Sequence, residues 1–211
     1  MASSIPSRHL VRAMDRNRVR AAWDAVAATY ATNRRADDED AALIDDLLAE
    51  LPANPTVLDV GCGDGARTLA NLPAGSVGLD FSRDGLELAT ETVPGTRLVQ
   101  GDMTALPVSE DSVDGITAYH AVFHVPRERH PEVYREFARV LRPGGVVLMT
   151  LPSGNFETVR RGWMGGSMFF SAPGRQATLD QLAAAGFDEV WTETADDPLG
   201  SSTEFAFARL G

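Results

Sequence analysis

Hydrophobic and polar positions along this chain alternate between two patterns. Short apolar runs, bounded by glycine, proline or acidic residues, are separated by stretches with helical spacing. The runs are TVLDV (56–60), SVGLD (76–80), TRLVQ (96–100), VDGITAY (113–119) and VVLMTL (146–151), and the helical stretches between them lie near 65–72, 83–91 and 131–141. Runs that are apolar on both faces and alternate with helices are typical of a parallel sheet covered on both sides. The pattern therefore predicts a doubly wound α/β domain.

The two ends of the chain complete this pattern. Helical spacing over 17–31 and 38–51 precedes the first run, and Pro52 ends the second of these helices. After a predicted helix over 175–186, FDEVWTETA and TEFAFARL flank a polar turn and predict an antiparallel hairpin. We therefore expect a Rossmann-like, seven-stranded sheet that is mostly parallel, with an antiparallel C-terminal strand and helices on both faces.

Residues 152–174 interrupt the pattern. This segment mixes glycine and proline with large apolar side chains, and it has neither a clean strand period nor a clean helix period. It is predicted to be a long loop, and long loops in compact domains are usually functional.

Charge and composition limit the classes of partner. The chain has 30 acidic residues against 19 basic ones, all of them arginine, for a net charge of -11. Such a surface repels phosphate backbones, so no nucleic acid partner is expected. Five arginines but only one acid lie in residues 1–20. We expect this basic segment to pack on the acidic body, with nucleic-acid binding as the alternative.

Apolar content and cysteine content bear on location. No window approaches the roughly 18 apolar residues of a membrane span, and no apolar segment follows the first arginines as in a secretory signal. Cys62 is the only cysteine, so an intramolecular disulfide is excluded. These features predict a cytoplasmic protein without a membrane partner, and they carry no signal for an oligomeric state.

The loop after the first run carries the first candidate chemistry. Gly61, Gly63 and Ala66 satisfy the spacing G-x-G-x-x-A, at a strand end that is predicted to open a helix. Glycines let the backbone turn sharply and present its N–H groups to a ligand. Asp80 ends the second run, 19 residues beyond Gly61, and can hold a ribose diol. A nicotinamide dinucleotide and another nucleoside both fit this loop.

Further carboxylates favour a cationic nucleoside over a pyrophosphate. Asp59 lies in the first run, Asp80 ends the second, and Asp102 directly follows the third. The carboxyl ends of parallel strands meet at one edge of the sheet, so these side chains would produce a negative potential there. That potential suits a ligand with an ammonium and a sulfonium, and Asp102 can accept a hydrogen bond from an adenine amine.

Four motifs in this order resemble those of the class I S-adenosylmethionine-dependent methyltransferases. They are LDVGCGDG, GLDFS, GDMTALP with the downstream SVDGI, and RVLRPGGVVLMTLP. The chain is most similar to the small-molecule enzymes of the methyltransferase type 11 group, over nearly its whole length from about Tyr30. The resemblance implies S-adenosyl-L-methionine as cofactor and S-adenosyl-L-homocysteine as product. It also implies transfer of a methyl group to an oxygen, nitrogen or carbon of a small acceptor.

The resemblance also assigns residues to parts of the cofactor. Gly61, Cys62 and Gly63 would surround the methionine part, and Asp80 would bind the ribose hydroxyls. Phe81 and Met103 would flank the adenine, and Asp102 would accept a hydrogen bond from the adenine amine. Asp59 would act at longer range on the methionyl ammonium, and Tyr30 and Arg34 would touch the methionyl end from an N-terminal lid. Cys62 is small enough for the loop, and no nucleophilic role is expected of it.

Two histidines follow the fourth run, on the expected acceptor side. The pair His120 and His124 has the spacing H-x-x-x-H but lacks the glutamate of H-E-x-x-H and a third ligand, so no metal site is predicted. Methyl transfer depends largely on holding acceptor and methyl group in line, and a base is needed only if the acceptor must lose a proton. We expect His120 to contact the acceptor, as a general base where one is needed, and His124 to be packed and hydrogen-bonded.

These assignments divide one domain, residues 1–211, into four parts: N-terminal helices with a lid (1–51), a cofactor-binding core (52–151), a substrate lid loop (152–174), and a closing helix with a β-hairpin (175–211). The aromatic residues of 152–174 predict an apolar or aromatic acceptor if the segment is a lid, and satellite core if it is not.

Two other functions compete with methyl transfer. A nicotinamide-dependent oxidoreductase would need a group such as the Tyr-x-x-x-Lys pair, and the chain has no lysine. A non-catalytic protein that binds S-adenosylmethionine and regulates or partners another enzyme would carry the same cofactor motifs.

Overall fold

The computed structural model describes residues 15–33, 41–196 and 202–211. Its helices are α1 (Arg16–Asn33), α2 (Ala42–Ala49), α3 (Arg83–Thr92), α4 (His130–Val140) and α5 (Arg175–Ala184). Its strands are β1 (Val57–Val60), β2 (Val77–Asp80), β3 (Arg97–Gln100), β4 (Val113–Ala118), β5 (Leu141–Thr150), β6 (Asn155–Trp163), β7 (Gly166–Pro173), β8 (Phe187–Asp196) and β9 (Ser202–Leu210).

Seven of these strands form the sheet that the sequence predicts, in the order β3-β2-β1-β4-β5-β9-β8. Strands β1 to β5 pair in parallel, whereas β9 runs antiparallel to both β5 and β8. The direction of the strand order reverses between β1 and β4. In sheets of this kind, ligands bind outside the carboxyl ends of the strands at such a reversal.

Helices cover both faces of the sheet, as predicted. Val133, Phe137 and Val140 of α4 are fully buried in the core on one face. Leu43, Ile44 and Leu47 of α2 pack in a second core with Phe205 and Phe207 of β9. Because the central strands are buried on both faces, their sequences are apolar without alternation. None of the described helices is both long and apolar enough to cross a membrane.

The predicted helix over 65–72 is wrong. The segment consists of turns and one short 3-10 helix, Leu69–Asn71. Gly65 has a φ of +76°, which a right-handed helix does not allow, and the hydroxyl of Thr68 donates to the buried carboxylate of Asp59. The turns therefore hold this segment against the end of β1 in place of a regular helix.

The predicted loop over 152–174 is also corrected, because β6 and β7 form an antiparallel hairpin. Its two-residue turn is Met164-Gly165, and both residues have positive φ, as the tight turns of hairpins require. Met168, Phe169 and Phe170 are consecutive and all buried. Both faces of β7 are therefore covered, which removes the alternation by which an amphipathic strand is recognised.

Candidate functional site

The loop after β1 turns at glycines for two different reasons. Gly61 and Gly63 have φ angles of +78° and +54°, a region that favours glycine. A Cβ atom on Gly61 would lie 2.5 Å from the Cβ atom of Ala121, whereas one on Gly63 would meet no atom within 4 Å. Packing therefore requires Gly61 to be a glycine, and the space beside Gly63 is open to a ligand.

A first pocket, with a cavity volume of about 80 Å³, lies in front of this loop at the carboxyl edge of the sheet. The sequence-predicted residues that line it are Tyr30, Gly61, Cys62, Gly63, Asp80, Phe81, Met103 and His120. The structure thus brings together residues from α1, the glycine loop, the end of β2 and the loops after β3 and β4. Arg34 lies outside the described residues.

Asp80 ties the glycine loop to the end of β2. Its carboxylate accepts hydrogen bonds from the backbone N–H groups of Gly63 and Ser82, at 2.8 and 2.7 Å. Burial raises the pKa of this carboxyl to about 6, and the hydrogen bonds act in the opposite direction. Asp80 is therefore oriented by the backbone at the wall of the pocket.

Asp59 lies behind the loop and not in the pocket wall. Its carboxylate is buried and accepts hydrogen bonds from the hydroxyls of Thr117, at 2.8 Å, and Thr68. Burial raises the pKa of Asp59 to about 6 as well, and the neighbouring charge of Asp80 adds to that rise. A cation bound in the pocket would stabilise the ionised form of both carboxyls.

Asp102 follows β3, as predicted, but its carboxylate faces α1. Arg16 donates from Nε to Oδ2 at 2.7 Å and from Nη2 to Oδ1 at 3.2 Å. Burial raises the pKa of Asp102, but the hydrogen bond and charge of Arg16 outweigh it, so the pKa lies below its ordinary value. The guanidinium also lies 4.7 Å from the ring centroid of Phe81. An adenine amine at this place would therefore share Asp102 with Arg16. Arg16 belongs to the basic segment predicted to pack on the acidic body, and residues 1–14 of that segment lie outside the described residues.

Helix α1 forms the outer wall of the pocket. Asp24 accepts hydrogen bonds from the Ser82 hydroxyl at 2.7 Å and the Arg83 backbone N–H at 3.0 Å, at the start of α3. Trp23 packs edge-on to Tyr30 with ring centroids 5.3 Å apart. A polar contact therefore joins α1 to the core, and aromatic rings from the same helix face the site.

A second pocket, of about 500 Å³, adjoins the first. The two share the side chains of Trp23, Tyr30, Arg67, His120 and His124. The second pocket is otherwise lined by the hairpin, the end of β5 and the facing ends of β8 and β9. Its aromatic residues beyond the shared ones are Phe123, Phe156, Trp163 and Phe170. The hairpin thus forms one wall of a chamber that has aromatic and polar lining residues and lies next to the first pocket.

His120 stands at the boundary between the pockets. Its backbone has a φ of 50° and donates to the Thr150 hydroxyl at 2.8 Å. Nη2 of Arg67 lies 2.9 Å from Nε2 of His120, and because a guanidinium can only donate, Nε2 accepts. The ring of His120 is therefore neutral, with its proton on Nδ1, and Arg67 occupies the Nε2 lone pair.

His124 is packed and hydrogen-bonded, as predicted. It is 5% exposed, and its Nδ1–H donates to the carbonyl of Phe169 at 2.8 Å. Burial lowers the pKa of its imidazole to about 3, so the ring is neutral. It ends a 3-10 helix and not an α-helix. Across residues 15–33, 41–196 and 202–211, no group of three or more His, Cys, Asp or Glu residues could hold a metal ion.

Cys62 is buried in the glycine loop, and burial raises the pKa of its thiol. A thiol that stays protonated is a poor nucleophile, in line with the structural role expected for it.

For three residues of the site, no local sequence pattern predicts that they belong to it. Arg16 reaches Asp102 across 86 positions, Trp23 belongs to an ordinary helical pattern, and Arg67 falls in the segment wrongly predicted to be a helix. Sequence spacing identified the glycines and strand-end carboxylates, but contacts between distant elements require the fold.

Comparison with known proteins gives a family for the central part of the chain. Residues 57–145 match the sequence profile described as "Methyltransferase domain". The chain is 40% identical over 105 residues to methyltransferase GfsG of Streptomyces halstedii, which covers 46% of this chain and 37% of that protein. It is 35% identical over 161 residues to the biotin biosynthesis bifunctional protein BioHC of Cellvibrio japonicus, covering 73% and 31%. The chain thus spans less than half the length of either relative.

A solved structure shares this fold. It is the Burkholderia thailandensis 1,6-didemethyltoxoflavin-N1-methyltransferase with bound 1,6-didemethyltoxoflavin and S-adenosylhomocysteine. The TM-score is 0.69 at 18% identity, and the match covers 100% of this chain and 93% of that one.

Proposed function

We propose that this chain, a class I S-adenosylmethionine-dependent methyltransferase, transfers a methyl group from S-adenosylmethionine to a small acceptor. The acceptor atom is an oxygen, nitrogen or carbon of a molecule with an apolar or aromatic body. The observation that carries the proposal is the pair of adjoining pockets, one built on the glycine loop and Asp80, the other lined by aromatic rings. We expect this reaction in the cytoplasm.

The residues of the first pocket fit the cofactor. The open space beside Gly63 accepts the methionine part. Asp80 is oriented to accept hydrogen bonds from two ribose hydroxyls, while Phe81 and Met103 flank the adenine. The buried charge of Asp59 favours the methionyl ammonium from behind the loop. Tyr30 contacts the methionyl end from α1, where the resemblance also assigns Arg34.

The second pocket receives the acceptor and orients it. When bound, S-adenosylmethionine supplies a methyl group on a sulfonium sulfur, so that the sulfur is left with the electron pair when the acceptor atom takes the methyl. Trp23, Tyr30 and Trp163 form a continuous group of rings at the junction of the pockets. Packing an aromatic acceptor against them limits its motion and excludes water, and in-line alignment accounts for much of the rate of such a displacement.

We expect His120 to contact the acceptor. Because Arg67 donates a hydrogen bond to Nε2 of His120, this nitrogen can take a proton from the methyl acceptor only if Arg67 moves away. The arrangement favours a role in orienting the acceptor over a role as general base. His120→Ala is expected to lower kcat with little change in affinity for S-adenosylhomocysteine, and full turnover by this variant would remove His120 from the mechanism.

Turnover tests the function itself. The protein is incubated with S-adenosylmethionine carrying a ¹³C-labelled methyl group and a panel of phenols, amines and quinone precursors, and the products are analysed by mass spectrometry. We expect the label in at least one acceptor with an equal amount of S-adenosylhomocysteine. Cofactor binding without transfer to any acceptor would favour the non-catalytic regulator.

A further inference from the structure

Arg16 of α1 stands at the place in the first pocket to which the adenine is assigned. Among the described residues, Gly101, Met103 and Arg16 line the pocket here, whereas Asp102 does not. The side chain of Arg16 is only 14% exposed, and its guanidinium is hydrogen-bonded to the Asp102 carboxylate. Arg16 therefore lies between the pocket and the carboxylate that is assigned to the adenine amine.

The hydrogen-bonding capacity of Asp102 is already used. Its Oδ2 accepts from Nε of Arg16 at 2.7 Å, and its Oδ1 accepts from Nη2 of Arg16 at 3.2 Å. Oδ1 also accepts from the backbone N–H and the hydroxyl of Thr104, at 3.0 and 2.9 Å. A carboxylate offers about four acceptor positions in all. Because Thr104 belongs to the same turn as Asp102, an adenine amine gains a place on this carboxylate where Arg16 gives one up.

The guanidinium of Arg16 also covers one face of Phe81. Its Cζ atom lies 4.7 Å from the ring centroid. A base stacked between two planar groups needs about 7 Å between them, which is two contacts of about 3.5 Å each. Adenine can therefore stack on this face of Phe81 only after the guanidinium has left it. Arg16 thus makes both of the contacts assigned to adenine, the stacking on Phe81 and the donation to Asp102.

The side chain of Arg16 can leave while α1 stays in place. Its remaining hydrogen bond runs from Nη1 to the backbone carbonyl of His124, at 2.6 Å. Other residues hold the helix: Asp24 accepts hydrogen bonds at the start of α3, and Val26 packs on β7. Arg16 is the first residue of α1, so a rotation of this one side chain is enough to clear the adenine contacts.

We infer that Arg16 is a built-in competitor of the cofactor's adenine, and that its guanidinium leaves Phe81 and at least one oxygen of Asp102 when S-adenosylmethionine binds. This inference rests on the proposed function and adds to it a residue that sets the affinity for the cofactor. A hydrogen bond from a guanidinium to a carboxylate is stronger than one from a neutral amine. Replacing Arg16 therefore costs free energy, and the wild-type protein binds the cofactor more weakly than a protein without this arginine.

Titration calorimetry with S-adenosylhomocysteine tests the competition. Arg16→Ala is expected to bind this ligand about three- to tenfold more tightly than the wild-type protein, because the competing side chain is removed. Arg18→Ala is the matched control and should bind like the wild type. Arg18 lies two positions further along α1, is exposed and lines neither pocket. Unchanged or weaker binding by Arg16→Ala would overturn the inference, and so would an equal gain in both variants.

A second measurement uses the wild-type protein and does not depend on how a variant folds. In ¹⁵N-labelled protein, the Nε–H signal of Arg16 is assigned by its loss in Arg16→Ala. Stacking of the guanidinium on Phe81 predicts a nuclear Overhauser effect between this proton and the ring protons. We expect the effect in the free protein and its loss on saturation with S-adenosylhomocysteine. Its absence from the free protein, or its persistence at saturation, would overturn the inference.

The outcomes separate this inference from the proposed function. Failure of both the wild-type protein and Arg16→Ala to bind S-adenosylhomocysteine would contradict the proposed function itself. Binding that Arg16→Ala leaves unchanged or weakens would contradict only the competition by Arg16.

Discussion

At the scale of single residues, the two glycines of the loop separate the demands of folding from those of binding. Gly61 faces the Cβ atom of Ala121, whereas Gly63 faces open space in the first pocket. Both have positive φ. The same substitution at the two positions therefore tests whether the loop is a ligand cradle or only a tight turn.

Gly63→Ala is expected to weaken S-adenosylhomocysteine binding by about tenfold, because the new methyl group enters the pocket, at a stability cost of about 1–2 kcal/mol for the left-handed backbone. Calorimetry and urea unfolding measure the two effects. Gly61→Ala is expected to cost about 3 kcal/mol or more, from the clash and the backbone together. Combining it with Ala121→Gly should restore part of that loss. Unchanged affinity in Gly63→Ala would contradict the cradle.

The raised pKa values of Asp59 and Asp80 predict a pH-dependent affinity. Both lie at about 6, so at pH 5 about nine-tenths of each carboxyl is protonated. The cofactor binds the ionised forms better, so its affinity should rise as the pH increases through 6 and level off above about 7. The rise from pH 5 to 7.5 should be about tenfold for each carboxyl involved.

Calorimetric titration with S-adenosylmethionine at several pH values measures this dependence. Asp80→Asn should bind more weakly and lose the part of the pH dependence that Asp80 contributes. A wild-type affinity that stays constant from pH 5 to 7.5 would show that the ionisation of neither carboxyl affects ligand binding.

At the scale of elements, α1 and the β6–β7 hairpin together close the site. Val26 of α1 packs with Met168 and Phe170 of β7, and a Cβ atom on Gly166 would lie 2.7 Å from a methyl group of Val26. The close approach of helix and hairpin therefore depends on the absence of a side chain at position 166. Both elements line the second pocket.

Gly166→Ala should displace α1 from the hairpin, weaken S-adenosylhomocysteine binding severalfold and increase amide hydrogen exchange in residues 16–33. Loss of core stability should be small, because the seven-stranded sheet is not involved. Gly154→Ala is the control, since its Cβ atom would make only an ordinary 3.8 Å contact with Phe156. Equal exchange in both variants would mean that α1 is not held by this contact.

The elements also show why sequence reasoning succeeded in the sheet and failed beside it. The central strands are apolar because both their faces are buried, and this signal is local. The turns after Gly65 accompany the contact of Thr68 with Asp59, which links distant positions. Strand β7 could not be predicted from alternation, because α1 covers one of its faces. The strand-end positions of Asp80 and Asp102 could be predicted, but the pairing of Asp102 with Arg16 could not, because it links two distant segments.

At the scale of the whole molecule, the strand order determines where the site lies. The reversal between β1 and β4 brings the glycine loop, the strand-end carboxylates and His120 to one edge of the sheet. The antiparallel end of the sheet and the hairpin add the second chamber beside it. One edge thus holds a first pocket, which we propose binds the cationic nucleoside, and a larger second pocket, which we propose binds the acceptor.

Calorimetry with S-adenosylhomocysteine and with NAD shows which cofactor the first pocket binds. We expect binding of S-adenosylhomocysteine with one site per chain and no measurable binding of NAD. We also expect Asp80→Ala to weaken binding of S-adenosylhomocysteine by about 1–3 kcal/mol, the cost of losing hydrogen bonds to a charged group. Preference for NAD, or unchanged affinity in Asp80→Ala, would contradict this assignment of the cofactor.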